Sequence, residues 1–371
     1  MVGQMTNKMI FEAMEAWAPK HLAYDWDNVG LQIGSNNRSV KKVMITLDVL
    51  EAVADEAIAN EVDLIIAHHP LLFKPVSSLD TDQPKGRTIQ KLLSNQISVY
   101  AAHTNLDIAK GGVNDMLSAA LNLQNTEILS STGFDRLYKI VVYVPQSHQK
   151  QVREAWAETK AGHIGAYSHC TFSTKGEGTF KPLEGTNPYV GTQNELAFVN
   201  EVRMETIVPE KYLSKTIKKM KKAHPYEEVA YDIYPLENKG DDNGIGRIGQ
   251  LNELMSLRQF CEHVKTALKV PTVRVTGDLE KKIKTIAVLG GSGEKYFMQA
   301  KQKGADAFVT GDMTFHAAQD AQQAGLAVID PGHHVEKIMK TATQEYLQNK
   351  FANNEVEIIT SKVDTEPFQF I

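Results

Sequence analysis

The sequence predicts an α/β protein: a pseudo-duplicated α/β core with a ferredoxin-like α+β insert. In the first third of the chain, short apolar runs alternate with segments that carry apolar residues at helical spacing. The last third shows the same alternation. The runs are nearly continuous in apolar character, which is typical of mostly parallel strands covered on both faces. The middle third differs, because its apolar residues alternate with polar ones.

The first third opens with an amphipathic helix. Residues 8–18 carry apolar side chains at helical spacing and stop before Pro19, since proline ends a helix at the preceding residue. The elements predicted after it are a strand at 41–50, a helix at 51–60, a strand at 62–70, a helix at 88–95 and a strand at 97–107. The strand at 62–70 ends in two histidines, and the strand at 97–107 leads into a loop.

The last third repeats this plan. Its predicted elements are a strand with a glycine-rich turn at 284–293, a helix at 294–304, a strand at 305–313, a helix at 315–325 and a strand into a loop at 326–334. VDLIIAHH aligns with ADAFVTGD and SVYAAHTNLD with AVIDPGHHVE, with little identity but the same order of elements. We therefore expect two related halves that present the carboxyl ends of their strands to one cleft. The alternative is that any two βαβ units look alike at this level.

The middle of the chain is predicted to be a separate domain. A strand at 139–145, a helix at 148–160, an alternating stretch at 165–182 and a helix end with a strand at 220–238 give two strand–helix–strand units. This order predicts a ferredoxin-like insert at 131–240. The core then consists of residues 1–130 and 241–371, with KGDDNGIGRIGQL as the return into it.

Composition indicates an ordinary globular protein and excludes some partners. The 371 residues carry a formal net charge of -5, which gives no broad electrostatic reason to bind nucleic acid or an anionic membrane. The two cysteines form no CxxC pair or disulfide framework, and the first residues lack the apolar region of a signal peptide. No apolar run approaches the roughly 20 residues that span a bilayer. These features predict a cytoplasmic protein.

Residues of metal-ligand type follow the predicted strands. His68 and His69 come directly after an apolar run, and His103 and Asp107 lie four apart just past the next one. His333 and Glu336 lie three apart where a helix begins. Spacings of three or four on a helical turn place both side chains on one face. We therefore predict a metal site built from five residues: His68, His69, Asp107, His333 and Glu336.

The ligand set indicates the kind of metal. Imidazole and carboxylate together suit Zn, Mn, Fe or Ni, and a set without thiolate favours an open site over a closed structural one. Two histidines on one strand end and two carboxylates exceed what one ion needs, so we expect two ions bridged by Glu336 or Asp107. The alternative is that the adjacent histidines are hydrogen-bonded core residues.

Other residues are candidates for supporting roles. Asp312 and His316 occupy the place in the second half that the paired histidines hold in the first, and His103 lies beside Asp107. These three are candidates for acid–base or metal-supporting groups, although Asp312 could instead cap a helix. The motif GGSG at 290–293 could hold a phosphate on backbone N–H groups at a helix N-terminus. It lacks the Lys and Ser/Thr of a P-loop, so we favour a tight turn. Asp48 is interpreted as structural.

Several segments together resemble a known family. They are LAYDWDNVGLQIG, IIAHHPLLF, AAHTNLD, GIGRIGQL, VLGGSG, FVTGDMTFHAAQDA and IDPGHHVEK, and they extend nearly from end to end. The chain resembles the Nif-three-like family (the YbgI/YqfO group of GTP cyclohydrolase I type 2 homologues). HPYEEVAYDIY resembles the longer members, whose extra domain is similar to PII and CutA proteins.

The resemblance implies a dinuclear site at the five predicted ligands, with Glu336 as the bridge. In many relatives the glutamate lies four positions after the final histidine. Here Glu336 lies three positions after His333 and two after His334, so His333 fits better. The resemblance also implies a toroidal homohexamer and a small-molecule substrate such as GTP. Two functions follow as hypotheses: a metal-dependent hydrolase, or a non-catalytic metal-binding assembly regulated through the insert.

Overall fold

The computed structural model describes residues 5–371. Its helices are α1 (Asn7–Trp17), α2 (Glu51–Ala59), α3 (Pro84–Ser94), α4 (Thr104–Ile108), α5 (Val113–Ala120), α6 (Gln149–Ala157), α7 (Glu210–Ala223), α8 (Leu257–Leu268), α9 (Phe297–Gln302), α10 (Phe315–Gln323) and α11 (Met339–Lys350). Its strands are β1 (Gly30–Ile33), β2 (Lys42–Thr46), β3 (Leu64–Ala67), β4 (Ser98–Ala101), β5 (Gln124–Pro145), β6 (Phe172–Phe180), β7 (Ala197–Pro209), β8 (Tyr231–Ser256), β9 (Arg274–Thr276), β10 (Lys282–Ser292), β11 (Ala307–Gly311), β12 (Ala327–Asp330) and β13 (Glu357–Thr360). The protein is a mixed α/β protein.

The chain forms two compact units. The core unit comprises Met1–Thr132 and Asn243–Ile371, and the insert unit comprises Gly133–Asp242. The long strands β5 and β8 carry the chain from one unit to the other. These limits lie close to the predicted ends of the core at 130 and 241, and residues 1–4 of the predicted core lie outside the described residues.

The first sheet of the core unit has the strand order β1-β4-β3-β2-β13. Strands β4, β3, β2 and β13 are parallel, and β1 adds an antiparallel edge. Every residue of β3 and β4 is buried, as expected for parallel strands covered on both faces. Helices α2 and α3 cover one face of this sheet through a cluster that includes Val53, Ile65 and Ile89.

A second set of core strands follows the order β8-β10-β11-β12-β9, in which β10, β11 and β12 are parallel. Their side chains share one hydrophobic cluster with the first sheet, since Ile66 and Val309 are buried in the same group of residues. Burying these apolar faces together fixes the strand ends in space. Because parallel strands end on the same side of a sheet, the loops after β3, β4, β11 and β12 can present side chains to one region.

The insert unit has its own hydrophobic core. Strands β6, β7 and β5 pair antiparallel, and α6 and α7 contribute Trp156 and Met220, both fully buried. Val142 and Met204, on neighbouring strands, belong to the same cluster. This cluster is what makes the unit compact.

Two predicted features differ in the structure. The strand predicted at 97–107 ends at Ala101, and the segment expected to be a loop forms helix α4. The side chain of Asn105 accepts a hydrogen bond from the backbone N–H of His103 at 2.9 Å, which satisfies a donor at the helix start. The helix predicted at 294–304 begins with a 3₁₀ turn at Glu294–Tyr296.

Within residues 5–371, no helix combines the length and apolar character needed to cross a bilayer. A cytoplasmic location stays a prediction.

Candidate metal centre

The first pair of histidines lies at the end of a buried parallel strand. Strand β3 ends at Ala67, and the backbone N–H groups of His68 and His69 still donate to the carbonyls of Thr46 and Leu47, at 3.2 and 2.9 Å. These bonds hold the backbone of both histidines against the end of the neighbouring strand. Their imidazole rings therefore leave the sheet at a defined place, with ring centroids 5.2 Å apart.

The other predicted ligands come from two short helical segments. Asp107 lies in α4, just after the end of β4. His333 and Glu336 lie in a 3₁₀ helix, His333–Ile338, that follows β12. Gly332 immediately precedes it with a φ of +87°, a conformation that glycine adopts without steric cost. Because a 3₁₀ helix has three residues per turn, His333 and Glu336 lie on the same side of the helical segment.

The carboxylate of Glu336 lies at the centre of the cluster. Its Oε2 atom is 3.1 Å from the Nε2 atoms of His69 and His333 and 3.6 Å from that of His68. The Nε2 atom of His68 lies 3.5 Å from Oδ1 of Asp107. All five residues predicted as ligands therefore meet in one place.

Each imidazole is held through its other nitrogen. The Nδ1 atom of His68 lies 2.8 Å from the carbonyl oxygen of Ala102. The Nδ1 atoms of His69 and His333 lie 2.6 Å from the carboxylates of Asp48 and Asp312. Since these acceptors take a proton from Nδ1, the Nε2 atom of each ring is directed at Glu336, where it can carry a second proton and donate it to the carboxylate, or bind a metal ion.

His103 completes the group of rings. Its Nδ1 atom lies 2.9 Å from Oδ1 of Asp27, whose other oxygen accepts hydrogen bonds from the Thr104 backbone and hydroxyl. The side chain of Asp27 is fully buried. His103 therefore has a fixed orientation, and its ring packs edge-on against those of His68 and His69.

Burial perturbs the ionisation of the whole cluster. Burial raises the pKa of Asp107 well above its usual value, and the nearby charge of Glu336 adds to that effect. Burial would also raise the pKa of Glu336, but the surrounding histidines outweigh it and hold that pKa well below its usual value. Burial lowers the pKa of His68. Two carboxylates thus share a buried space, an arrangement that is costly without a positive charge between them.

The pKa values of the two less buried histidines move upward. Burial alone would lower the pKa of His69, but hydrogen bonds with Asp48 and Glu336 raise it to about 10. The hydrogen bond with Glu336 is the main reason why the pKa of His333 rises to about 9. Both rings therefore have an affinity for a positive charge at Nε2, which a proton or a metal ion can satisfy.

The residues present fit a metal ion. The Nε2 atom of His68 and Oδ1 of Asp107 are buried and have no hydrogen-bond partner among residues 5–371, although buried polar atoms nearly always have one. Three groups of side chains bring ligand atoms within 4.8 Å of one another: His68, Asp107 and Glu336; His69, His333 and Glu336; and His68, His69 and His103. A carboxylate on the far side of a ligating imidazole is the usual support for such a ligand.

The loop after β10 closes one side of the cluster. A Cβ atom on Gly291 would lie 2.7 Å from Oε1 of Glu336 and 3.2 Å from Nε2 of His333, so no side chain fits there. The buried side chain of Asn114 accepts from the Gly290 N–H and donates to the carbonyl oxygen of Asp107, at 3.0 Å each. The GGSG motif thus packs its backbone against the cluster.

A cavity of about 1190 Å³ lies over the cluster. Tyr24, Trp26 and Phe73 form an aromatic wall, in which Tyr24 stacks on Trp26 with ring centroids 5.6 Å apart. Lys295 and the segment 365–370 also line it. A volume of this size holds a small organic molecule.

The structure brings most of the predicted residues together. Among the candidates for supporting roles, His103 and Asp312 lie in the cluster, whereas His316 lies on α10 and pairs with Gln319 of its own helix at 3.4 Å. His316 is not among the described residues that line the cavity. The N-cap of α10 is Thr314, so the alternative role of Asp312 as a helix cap is wrong.

Sequence reasoning missed two carboxylates. Asp48 was interpreted as structural, yet it holds His69, and Asp27 was not singled out although it holds His103. The position of Asp48 at a strand end, two residues after β2, was the available signal. His334, the alternative to His333, turns away to Asp364, with Nε2 3.4 Å from its carboxylate.

Fold and site define an α/β protein with a buried cluster of imidazoles and carboxylates of a kind that could hold metal. The sequence profile of Duf34/NIF3 (NGG1p interacting factor 3) matches residues 5–367, and the chain belongs to this family. It is 51% identical to a "GTP cyclohydrolase 1 type 2 homolog" of Halalkalibacterium halodurans, over 98% of this chain and 99% of that protein. It is 50% identical to the protein of the same name from Bacillus subtilis, over the full length of both.

A solved structure has the same fold. The crystal structure of a Bacillus cereus protein related to NIF3 covers all of both chains, with 51% identity and a TM-score of 0.91. A Staphylococcus aureus protein matches over the same extent at 33% identity and a TM-score of 0.76. The family resemblance inferred from the sequence motifs is confirmed.

Proposed function

We propose that this chain is a dinuclear divalent-metal protein. His68, Asp107 and Glu336 would hold one ion, and His69, His333 and Glu336 the other. The observation that carries the proposal is the place of Glu336, whose Oε2 atom lies within 3.6 Å of the Nε2 atoms of three histidines. A shared carboxylate is the economical ligand for two neighbouring ions.

The donor set favours Zn, Mn, Fe or Ni. Three imidazoles and two carboxylates are the ligand types that suit these ions, whereas Ca and Mg prefer oxygen alone. The two cysteines lie elsewhere: Cys261 is on α8 in the hydrophobic core, and Cys170 is in the insert unit. His103 would stand beside the first ion's ligands, as a further ligand or as a proton carrier.

We propose a hydrolase that acts on a nucleotide or another small molecule. Bound divalent ions would activate water and polarise the bond that it attacks. His103 would accept or return a proton at Nε2, because Asp27 holds its Nδ1 proton and fixes the ring. The cavity offers Tyr24, Trp26 and Phe73 for stacking against a planar group. The names of the relatives suggest a substrate of the GTP class.

The test is turnover by metal-loaded protein on a panel of nucleotides and phosphoesters. We expect activity that depends on added metal and disappears in Glu336→Gln. The matched control is Glu366→Gln, which removes a carboxylate that lines the same cavity but lies outside the cluster. Metal binding without turnover on any substrate would favour the second function.

The second function is a non-catalytic metal-binding assembly regulated through its insert. The observation that favours it is the separate hydrophobic core of the insert unit, which would let the unit respond to a ligand of its own. We propose that this unit is ferredoxin-like, as in PII and CutA proteins. The order β5-α6-β6-β7-α7-β8 and the strand order β6-β7-β5-β8 support the proposal.

Two further proposals concern the core and the assembly. The occurrence of parallel strands in both halves of the core, with site residues after β3 and β12, supports a pseudo-duplicated core. We also propose a homohexamer, on the resemblance alone. Light scattering on the purified chain tests this assembly, since a hexamer has six times the mass of 41.2 kDa for one chain.

A further inference from the structure

The residues after β13 form a segment that reaches the metal centre, and we call residues 361–371 the 361–371 segment. It begins at Ser361, whose hydroxyl pairs closely with Glu56, and the backbone N–H of Lys362 donates to the same carboxylate at 2.8 Å. Residues 365–370 then line the cavity over the cluster. The segment is therefore fixed at its start and lies beside the site further on.

Thr365 is the residue of this segment that contacts the support of a metal ligand. Its hydroxyl donates to Oδ2 of Asp48 at 2.5 Å. The other oxygen of Asp48 lies 2.6 Å from Nδ1 of His69. Both oxygens of one carboxylate are thus occupied, one by the segment and one by the imidazole. The Asp48 side chain is only about a quarter exposed, at 27%.

Neighbouring contacts hold Thr365 in place. Its Oγ1 atom also lies 3.4 Å from Nε2 of His334, the residue after the ligand His333. The N–H of Glu366 donates to the Asp364 carboxylate at 3.2 Å, which stiffens the backbone around Thr365. The backbone carbonyl of Asp48 accepts a hydrogen bond from the Thr46 hydroxyl at 2.9 Å, so the backbone of Asp48 is fixed as well.

The second supporting carboxylate of the cluster differs. Asp312 holds His333, but its side chain is 47% exposed. Among the described residues, its carboxylate is hydrogen-bonded to His333 alone. Asp48 instead receives its second hydrogen bond from a residue 317 positions away. The orientation of His69 thus depends on the 361–371 segment in a way that the orientation of His333 does not.

We propose that Thr365 is a positioning residue for the metal ligand His69 and acts through Asp48. The proposal rests on the metal site proposed above. Without the hydroxyl, the Asp48 carboxylate can rotate away from Nδ1, and the His69 ring loses the contact that directs Nε2 at Glu336. Only the ion held by His69, His333 and Glu336 should be affected, because His68 is held by a backbone carbonyl.

The test compares three variants of the full chain in titrations with Mn²⁺ or Zn²⁺. Thr365→Val keeps the shape and removes the hydroxyl, and Thr365→Ser keeps the hydroxyl. Ser361→Ala loosens the start of the same segment without touching Asp48. We expect Thr365→Val to weaken the binding of one of the two ions by about tenfold. This is the lower end of the loss of metal affinity, about 10–100-fold, that follows removal of a hydrogen-bond partner of a metal ligand. Thr365→Ser and Ser361→Ala should bind both ions like the unchanged protein.

A second measurement works without metal. In metal-free protein labelled at histidine, the short hydrogen bond should give a downfield Nδ1–H proton resonance for His69, assigned by its loss in His69→Gln. We expect this resonance to exchange faster or disappear in Thr365→Val and to remain in Thr365→Ser. If the unchanged protein binds no metal, the proposed function fails, and this resonance still decides the positioning role.

Three results would overturn the inference. One is a His69 resonance that Thr365→Val leaves unchanged. Another is equal weakening of both ions, which would indicate general damage to the site. The third is the same loss in Ser361→Ala as in Thr365→Val, since it would mean that any loosening of the segment suffices and that the Thr365 hydroxyl has no particular role.

Discussion

The Nε2 atom of His69 lies 3.1 Å from Oε2 of Glu336, although 267 positions separate the two residues in the chain. His69 lies just after the parallel strand β3 of one core sheet, and Glu336 follows the parallel strand β12 of the other. The shared hydrophobic core of the two sheets brings these strand ends together. The candidate metal centre is therefore a product of the fold as a whole.

Glu336→Gln should abolish binding of both ions, because Glu336 is the carboxylate common to the two sets of ligands. The change keeps the shape of the side chain and removes its charge, so the protein should still fold. Elemental analysis after loading and desalting measures the metal content. Glu366→Gln, which removes a charge from the cavity lining, should retain the metal content of the unchanged protein. A metal content in Glu336→Gln equal to that of the unchanged protein would show that the ions bind elsewhere.

Asp312→Ala should weaken the binding of one of the two ions. Asp312 lies 2.6 Å from Nδ1 of His333, and loss of such a partner typically reduces metal affinity by about 10–100-fold. Competition with a chromophoric chelator measures the two affinities. The control is His316→Ala on the nearby helix α10. The ring of His316 pairs with Gln319, so this substitution should leave both metal affinities unchanged. If His316→Ala were the more harmful change, the assignment of the two residues would be reversed.

Gly291→Ala should damage the metal centre beyond its effect on stability. The glycine has a φ of +63°, which costs a non-glycine residue about 1–2 kcal/mol, and the added Cβ would lie 2.7 Å from Oε1 of Glu336. Gly304→Ala is the control: its φ is +83°, but its Cβ meets no described atom within 4 Å. Both variants should unfold at lower urea concentration, and only Gly291→Ala should lose metal. Retained metal in Gly291→Ala would mean that the loop moves aside without cost.

The stability of the insert unit should fall in acid because of His224. The Nδ1 atom of His224 accepts the Tyr226 N–H at 3.1 Å and Nε2 donates to the Tyr143 carbonyl at 2.9 Å, which fixes the neutral ring. Burial lowers the pKa of His224, and the nearby His148 adds to the effect. The folded state therefore binds the proton less readily than the unfolded state. This contribution to stability is complete above a pH of about 6.5 and is lost as the pH falls below it.

Trp156 can report this effect, because it is buried in the insert core. With Trp17 and Trp26 replaced by Phe, urea unfolding of the full chain is followed by the fluorescence of Trp156 alone, since the chain has 3 tryptophans. The difference in the free energy of unfolding between pH 7.5 and pH 5.5 should be smaller in His224→Gln, which keeps a donor for Tyr143 but does not titrate. An unchanged difference would exclude His224 as the cause.

Much of the core could be predicted from the sequence because a short, continuous apolar run is typical of a strand buried on both faces of a parallel sheet. The run LIIA is buried on both faces as β3, and its position before two histidines placed the first ligands. Helix α1 spans Asn7–Trp17, close to the predicted 8–18, because Pro19 marks its end. Where a strong local signal coincides with burial, the prediction was accurate.

Other features depend on tertiary contacts that no local pattern reveals. The strand β13 was not predicted, since it completes its sheet by pairing with β2 from the other end of the chain. The support of His103 by Asp27 joins residues 76 positions apart. In the sequence Asp48 is an ordinary strand-end residue, and only the fold places its carboxylate between His69 and Thr365. The ligands carry a recognisable chemistry, whereas their partners are ordinary carboxylates and hydroxyls.

A crystal structure of the full chain grown with Mn²⁺ tests the central claim most directly, with anomalous differences recorded near the manganese edge. The account predicts two peaks: one among His68, Asp107 and Glu336, and the other among His69, His333 and Glu336, with Glu336 touching both. No peak in this cluster at saturating Mn²⁺, or a single peak that does not contact Glu336, would contradict it.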